Sequence, residues 1–311
     1  MDRVLITGGA GFIGTHLVKE LSPRYHLLVI DNLSNKNSYF NAKMMKENHI
    51  SLFEGDIMNK ENITEIIRNY RVDSCVHLAA KISVPESLID PHTTMNVNVT
   101  GTLNVLEACV RNSVKRFVFA SSAAVYGHVD TLPVSENVEL KPISPYGASK
   151  VAAEETVRAY ANLHLFDSIV SLRFFNVFGP GQSNEYAGVI SKFRQRILES
   201  LSPIIFGDGS QQRDFVSVDD VVKSITCALN PPQGVTKGTF NIATGVPTTI
   251  LELAKIMTRI MGKPTLNPIY NDAVNGDIRL SYGDTTNTSD VLKFIAKRNL
   301  ENGLQELLVN V

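Results

Sequence analysis

Through residues 3–173, short β-branched and aromatic runs alternate with stretches of helical period, and this rhythm restricts the fold more than any other feature. The strand-like runs are Val4–Thr7, Leu27–Asp31, Ile50–Glu54, Ser74–Leu78, Arg116–Ser121 and Ser168–Arg173. Helical patterns run to about Leu21 and cover Lys60–Tyr70, Thr93–Asn112 and Pro145 to about Leu163. Parallel strands need crossover connections, so the pattern predicts an α/β fold, a Rossmann-type doubly wound parallel sheet covered on both faces. Near residue 175 the rhythm changes and Gly179-Pro180-Gly181 follows. Runs at Phe215–Val218 and Thr239–Ala243 predict a return to the first sheet, and Thr249–Met261 and Ser289–Lys297 read as helices. The expected organisation is a first domain over 1–175 with returning segments near 213–245, and a smaller, discontinuous α/β lobe from 176–212 and 246–311.

Of the 311 residues 43% are apolar and 20% charged, enough for a large buried core. Thirty basic against 31 acidic residues leave a net charge of −1, so nothing favours a polyanion and no nucleic-acid partner is expected. Cys75, Cys109 and Cys227 form no close pair and lie in apolar segments, which predicts a reducing cytoplasm. Neither a signal-peptide pattern at the N-terminus nor an apolar run of spanning length is seen, so a soluble protein with no membrane association is expected. The seven histidines are scattered, and no metal is expected.

Between the first strand and the first helix stands Thr7-Gly8-Gly9-Ala10-Gly11-Phe12-Ile13-Gly14. Glycines at 8, 11 and 14 permit a tight turn, a close backbone approach to a pyrophosphate and close packing of helix on strand, while the helix N-terminus offers free N–H groups. An NTPase loop needs a lysine before its Ser/Thr, and Ile13-Gly14-Thr15 has none. Asp31 ends the second strand, where a carboxylate accepts both ribose hydroxyls and repels a 2′-phosphate. Asn32 follows it, no arginine stands beside it, and NAD is favoured over NADP.

Tyr146 and Lys150 fall one turn apart on one helix face, after Ser144-Pro145 as a helix start. An unperturbed tyrosine has a pKa of about 10, so making it a base at pH 7 requires about 4 kcal/mol. A neighbouring ammonium has the sign to supply part of that. Ser122 lies at the end of the fifth strand, at the edge where open α/β sheets bind ligands, and is placed to hydrogen-bond a substrate oxygen.

With these residues in view, the chain is identified as a member of the extended short-chain dehydrogenase/reductases and resembles the nucleotide-sugar 4-epimerases, such as UDP-glucose 4-epimerase. The resemblance is carried, in order, by residues 7–14, Asp31-Asn32, Gly55-Asp56-Ile57, His77-Leu78-Ala79-Ala80, Asn98-x-x-Gly101-Thr102, Ser121 to Gly127, Tyr146-Gly147-x-Ser149-Lys150, Arg173-Phe174-Phe175-Asn176, Arg213-Asp214-Phe215 and Gly276-Asp277. It implies that Ser122, Tyr146 and Lys150 form the catalytic triad and that Asp56 and Ile57 flank adenine. It further implies that Leu78, Ala79, Ala80, Lys81 and Asn98 serve the cofactor site and that Phe175 lies by the nicotinamide. Ser83, Asn176, the segment 187–190 with Val189, Arg213, Asp277 and Ser281 are implied on the sugar-nucleotide side. The implied activity is NAD-dependent 4-epimerisation of a UDP-hexose, UDP-glucose or UDP-galactose, through a transient 4-keto sugar. Helices Thr93–Asn112 and Pro145–Leu163 are implied to pair across a two-fold axis in a homodimer.

Ala123 and Ala124 stand where related dehydratases carry an acidic pair, and methyl groups do no acid–base work. On the residues, an NAD-dependent dehydrogenase of the same fold and a non-catalytic NAD-binding regulator remain open. Two departures bear on specificity. Ser281, where relatives with a large aromatic exclude N-acetylated sugars, leaves room for UDP-N-acetylhexosamines, and Val274 stands where an arginine usually clamps the diphosphate, with Arg213 and Arg279 as the nearest cations.

Overall fold

The computed structural model describes residues 1–182, 188–273 and 276–309. In chain order the first part is β1 (Arg3–Thr7), α1 (Phe12–Leu21), β2 (His26–Asp31), α2 (Lys36–Glu47), β3 (Ser51–Glu54), α3 (Lys60–Tyr70), β4 (Ser74–His77), α4 (Val84–Ile89), α5 (Pro91–Met95), α6 (Gly101–Arg111), β5 (Arg116–Ser122), α7 (Pro145–Asn162) and β6 (Ser168–Phe174). The second part is β7 (Asn176–Phe178), α8 (Val189–Leu198), β8 (Ile204–Phe206), β9 (Gln212–Ser217), α9 (Val218–Leu229), β10 (Lys237–Ile242), β11 (Pro247–Thr249), α10 (Ile250–Ile260), β12 (Ile269–Asn271), β13 (Leu280–Ser281), α11 (Thr286–Val291) and α12 (Leu300–Val309).

Seven parallel strands form the main sheet in the order β10-β6-β5-β4-β1-β2-β3. Alternate side chains of each strand point to opposite faces. Val4 and Ile6 pack with Leu17, Val18 and Leu21 of α1 and with Val221 and Ile225 of α9. Leu5 points the other way, among Ile63 and Ile67 of α3, Val105 and Leu106 of α6 and Val157 of α7. With both faces covered, strands such as β6 are buried along their whole length, the composition of a parallel sheet. Every strand therefore ends on one edge, and the segments after β1, β2, β4, β5 and β6 converge there.

The smaller lobe has β9 at its centre, flanked by β11, β13 and β7, with β8 and β12 as a separate pair. Its apolar core lies between α8, α10 and α12.

Several expectations need correction. Of these two runs, β10 returns to the main sheet, whereas β9 belongs to the smaller one, and Val216 of β9 together with the following helix α9 reaches back to the first core. The helix expected over Thr93–Asn112 is interrupted by a π turn at Asn96–Thr100, which periodicity cannot reveal. Instead of a helix to Lys297, α11 stops early: Leu292 and Phe294 enter the core of the main domain, and the Asp220 carboxylate accepts the amides of Lys297 and Arg298 at 3.1 and 2.8 Å. Helices α2, α4, α8, α9 and α12 are further elements that were not expected; α2 buries only Ser38, Ala42 and Met45, too few for a clear apolar face. On the two helices implied to pair in a dimer, Leu106 and Val157 are buried within the chain, whereas Val97, Leu103, Val151 and Tyr160 are half-buried.

Candidate active site

At the common strand edge opens a cavity of about 440 Å³. One end is made by the turn after β1. Gly8 has φ +67°, and a Cβ there would lie 2.7 Å from the Ala79 nitrogen; a Cβ on Gly14 would lie 2.5 Å from Gly9. Glycine is required at both places, by conformation at Gly8 and by close approach at Gly14. No side chain caps α1, so the N–H groups of its first turn remain available to an anion. Gly8, Gly11, Phe12, Ile13 and Gly14 line this end.

Asp31 lies beside them, its carboxylate accepting the Ala10 N–H at 3.0 Å and the Leu33 N–H at 2.9 Å. Burial pushes its pKa up, and the two backbone donors hold it back. The Asn32 amide donates to Asp56 at 2.9 Å, joining the turns after β2 and β3. Ile57 and Leu78 to Lys81 complete the lining there.

A directional chain of hydrogen bonds supports that segment. The Ala79 N–H donates to the Thr7 hydroxyl (3.3 Å), and Thr7 donates to Nδ1 of His77 (2.6 Å). Nε2 of His77 donates to the Thr102 hydroxyl (3.0 Å), which donates to the Asn98 carbonyl (2.6 Å). Since Thr102 spends its proton on Asn98, Nε2 of His77 carries a proton, and with the pKa lowered by burial the ring is neutral, which leaves Nδ1 to accept from Thr7. Burial, with the Lys150 charge nearby, lowers its pKa to about 3. Asn98 does not line the cavity; placed by the π turn, it grips the backbone of Lys81, which does.

At the other end Ser122, Tyr146, Lys150 and Phe175 line the same cavity. Helix α7 starts at Ser144, whose hydroxyl accepts the Gly147 N–H at 3.0 Å, with proline at its first position. One turn apart, Tyr146 and Lys150 are both buried. Lys150 donates to the Ala120 carbonyl at 2.9 Å and sits 5.0 Å from the centre of the Phe119 ring. Desolvation lowers its pKa to about 8, against the pull of Glu154. Burial raises the pKa of Tyr146, and the neighbouring Ser122 hydroxyl lowers it. The Ser122 oxygen accepts the Ala124 N–H at 3.2 Å, which leaves its own proton to donate.

Of the residues expected on the sugar side, only Ser122 lines this cavity. Four others gather around β9. Asn176 is in register with Phe215 and donates to the Asp214 carbonyl at 3.1 Å; Ser281 is in register with Arg213; and Arg213 pairs with Asp277 at 2.6 Å. The Asp214 carboxylate ties this lobe together by accepting from Thr244, Gly245 and Gly283. Ser83 instead caps α4, and Val189 begins α8. Arg279 points to the exposed Asp208 and Ser210 rather than joining Arg213. Val274, and Ala187 of the segment 187–190, lie outside the described residues.

Sequence reasoning missed the polar turn Ser34, Asn35, Asn37 and Ser38, as well as Gly55, Val177 and Gln182, all of which line the cavity. The turn had a legible signal, since Asn35 caps α2 by accepting the Ser38 N–H at 2.8 Å. Glu154 was missed too, although it continues the Tyr146–Lys150 spacing by one more turn.

A glycine cradle at a helix N-terminus, an acid at the end of β2 and a Ser-Tyr-Lys set at the end of β5 define a dinucleotide-dependent enzyme of the Rossmann type. The NAD-dependent epimerase/dehydratase family model matches residues 4–243, and the chain belongs to that family. A putative UDP-glucose 4-epimerase of Methanocaldococcus jannaschii is 40% identical over 286 residues, covering 90% of this chain and 89% of its own. The structure of UDP-glucose 4-epimerase from Thermotoga maritima with UDP-glucose is similar at TM-score 0.91 and 35% identity, covering 99% of this chain and 97% of that one. UDP-N-acetylglucosamine 4-epimerase from Methanobrevibacter ruminantium, in complex with UDP-N-acetylmuramic acid, is similar at TM-score 0.91 and 33% identity, with the same coverage of 99% and 97%.

Proposed function

We infer that the chain is an NAD-dependent UDP-hexose 4-epimerase, an isomerase that interconverts UDP-glucose and UDP-galactose. The observation that carries this reading is the shared cavity: the glycine cradle and Asp31 at one end and Ser122, Tyr146 and Lys150 at the other. The cavity residues fit the cofactor. A Cβ at Gly8 or Gly14 would run into the backbone of Ala79 or Gly9, so the glycines hold the turn tight against the start of α1, and that uncapped start suits a diphosphate. Asp31 keeps acceptor capacity for ribose hydroxyls beyond its two backbone bonds. Bound NAD supplies the acceptor, and afterwards the donor, of a hydrogen and two electrons at sugar C4.

The side chains handle the proton. Ser122 donates to the sugar 4-oxygen, Tyr146 as its phenolate accepts the 4-hydroxyl proton and becomes neutral, and Lys150 offsets the negative charge the phenolate carries before that transfer. When the 4-keto sugar has turned over, the same Tyr146 returns the proton to the 4-oxygen, so the residue ends as it began. Ala123 and Ala124 place no carboxylate beside Ser122, in keeping with epimerisation rather than dehydration.

Arg213 holds the diphosphate and Asp277 and Asn176 orient the nucleotide in this reading. Ser281, short and in register with Arg213, leaves space for an N-acetyl group, so UDP-N-acetylhexosamines are accepted as well. The half-buried Val97, Leu103, Val151 and Tyr160 support a homodimer. The three free cysteines, two of them buried, suit a reducing cytoplasm, and among the described residues no helix is long and apolar enough to cross a membrane.

The test is an NMR assay of the purified protein with UDP-glucose, UDP-galactose and their N-acetylated counterparts. Conversion of each into its 4-epimer is expected, reduced by at least about a hundredfold in Tyr146→Phe and lost selectively for the N-acetylated pair in Ser281→Tyr. Absence of any turnover, full activity of Tyr146→Phe, or accumulation of NADH in step with an oxidised sugar overturns the reading, the last in favour of a dehydrogenase.

A further inference from the structure

Behind the catalytic residues lies a buried polar cluster that the proposed proton transfer does not use. Tyr146, Lys150 and Glu154 recur at intervals of one turn along the inner face of α7, and all three are buried. The Glu154 carboxylate accepts from Nε of Arg173 at 3.0 and 3.2 Å and from a terminal nitrogen at 2.7 Å, and it also accepts from the Ser121 hydroxyl. Arg173 of β6 in turn donates to the Tyr126 hydroxyl at 3.0 Å and to the Glu136 carbonyl at 3.1 Å. Its guanidinium lies 4.9 Å from the Tyr126 ring centre.

Such a pair is not a cheap source of stability. Well-packed apolar residues of similar volume usually serve as well or better, and removing one partner alone leaves a buried charge without compensation. What distinguishes this pair is its place: Ser121 is the residue before Ser122 on β5, and the Ala120 carbonyl before it holds Lys150.

We propose that Glu154 is a positioning residue of the active site: it anchors the last residues of β5, which present Ser122 and the Ala120 carbonyl, and it places a fixed negative charge one turn below the Lys150 ammonium. This deepens the epimerase reading and rests on it for the effect on turnover. The groups facing Lys150 and Glu154 are Tyr146 on the same helix, His77 from β4, Arg173 from β6, and Tyr126 and Glu136 from the segment after β5. Neutral His77 contributes no charge, and Arg173 is held in the protonated state, its pKa raised chiefly by Glu154 against desolvation. Glu154 is therefore the group that counters the desolvation of Lys150.

The test compares the wild type with Glu154→Gln, which keeps the shape and removes the charge. Competitive acetylation across pH, read by mass spectrometry at Lys150, reports the protonation midpoint of that amine without requiring turnover. The midpoint is expected to fall by about one pH unit in the variant. The alkaline limb of kcat/KM for UDP-galactose is expected to move down with it, and kcat to drop about tenfold at pH 8 with KM little changed. Should Glu154→Gln not fold because Arg173 is left unpaired, Glu154→Gln/Arg173→Gln removes both charges, and a smaller fall in the same direction is expected because the repelling guanidinium goes with the carboxylate. An unaltered Lys150 midpoint in a folded variant, or an unaltered pH profile, overturns the proposal. If the wild type turns over no UDP-hexose, the epimerase reading fails, while the acetylation result still decides the electrostatic role of Glu154.

Discussion

Asn98 holds both backbone groups of Lys81: its Oδ1 accepts the Lys81 N–H at 2.7 Å and its Nδ2 donates to the Lys81 carbonyl at 2.8 Å. Nδ2 also donates to the Ser149 hydroxyl at 2.8 Å, on α7. One buried amide thus ties the cavity-lining segment after β4 to the helix that carries Tyr146 and Lys150. Asn98→Ala leaves those backbone groups unsatisfied, at about 1–3 kcal/mol. NAD affinity by calorimetry is expected to fall about tenfold or more with the fold intact; unchanged affinity would show that the segment holds its shape without the amide.

His77 makes stability depend on acid. Its folded pKa of about 3 lies below the ordinary 6.5, so its contribution is fully present above pH 6.5 and is lost as pH falls toward 3. By pH 4.5 the loss from this group is about 3 kcal/mol. His77→Gln, which cannot titrate, is expected to show a shallower decline in urea-derived stability between pH 7 and 4.5. Parallel declines in the two proteins would place the acid sensitivity elsewhere.

Lys150 works in the opposite sense for the fold. Its pKa of about 8 is below the unfolded value of 10.5, so burying the ammonium destabilises the protein below pH 8, and the penalty is relieved as pH rises from 8 to 10.5. At pH 7 this amounts to about 3 kcal/mol, partly offset by the bond to the Ala120 carbonyl. Lys150→Met is expected to melt a few degrees higher at pH 7 while losing activity. A lower melting temperature would mean that the hydrogen bond and the Phe119 contact outweigh desolvation.

Arg213 is held by Asp277 at 2.6 Å, and burial lowers its pKa. Arg213→Ala is expected to weaken UDP-sugar binding by about tenfold to a hundredfold, with NAD affinity unchanged. If Arg279→Ala weakens it more, the exposed cation beside Asp208 is the diphosphate anchor instead.

Much of what depends on local order was legible in the sequence. Strand and helix periods determined the parallel sheet, the glycines between β1 and α1 marked the cradle, and the spacing of Tyr146 and Lys150 placed them on one helix face. Each is a relation between residues a few positions apart, set by backbone sterics and helical geometry. Tertiary structure alone decided the rest, because it concerns residues far apart in the chain competing for the same buried space. Glu154 meets Arg173 and Ser121 only once α7 packs on β5 and β6. His77 takes one tautomer because Thr7 and Thr102 close on it from two elements. The expected helix to Lys297 gives way because Asp220, 77 residues earlier, offers those amides a buried acceptor. A buried polar group must find its partner wherever the fold supplies one, and no local pattern in the chain announces which partner that is.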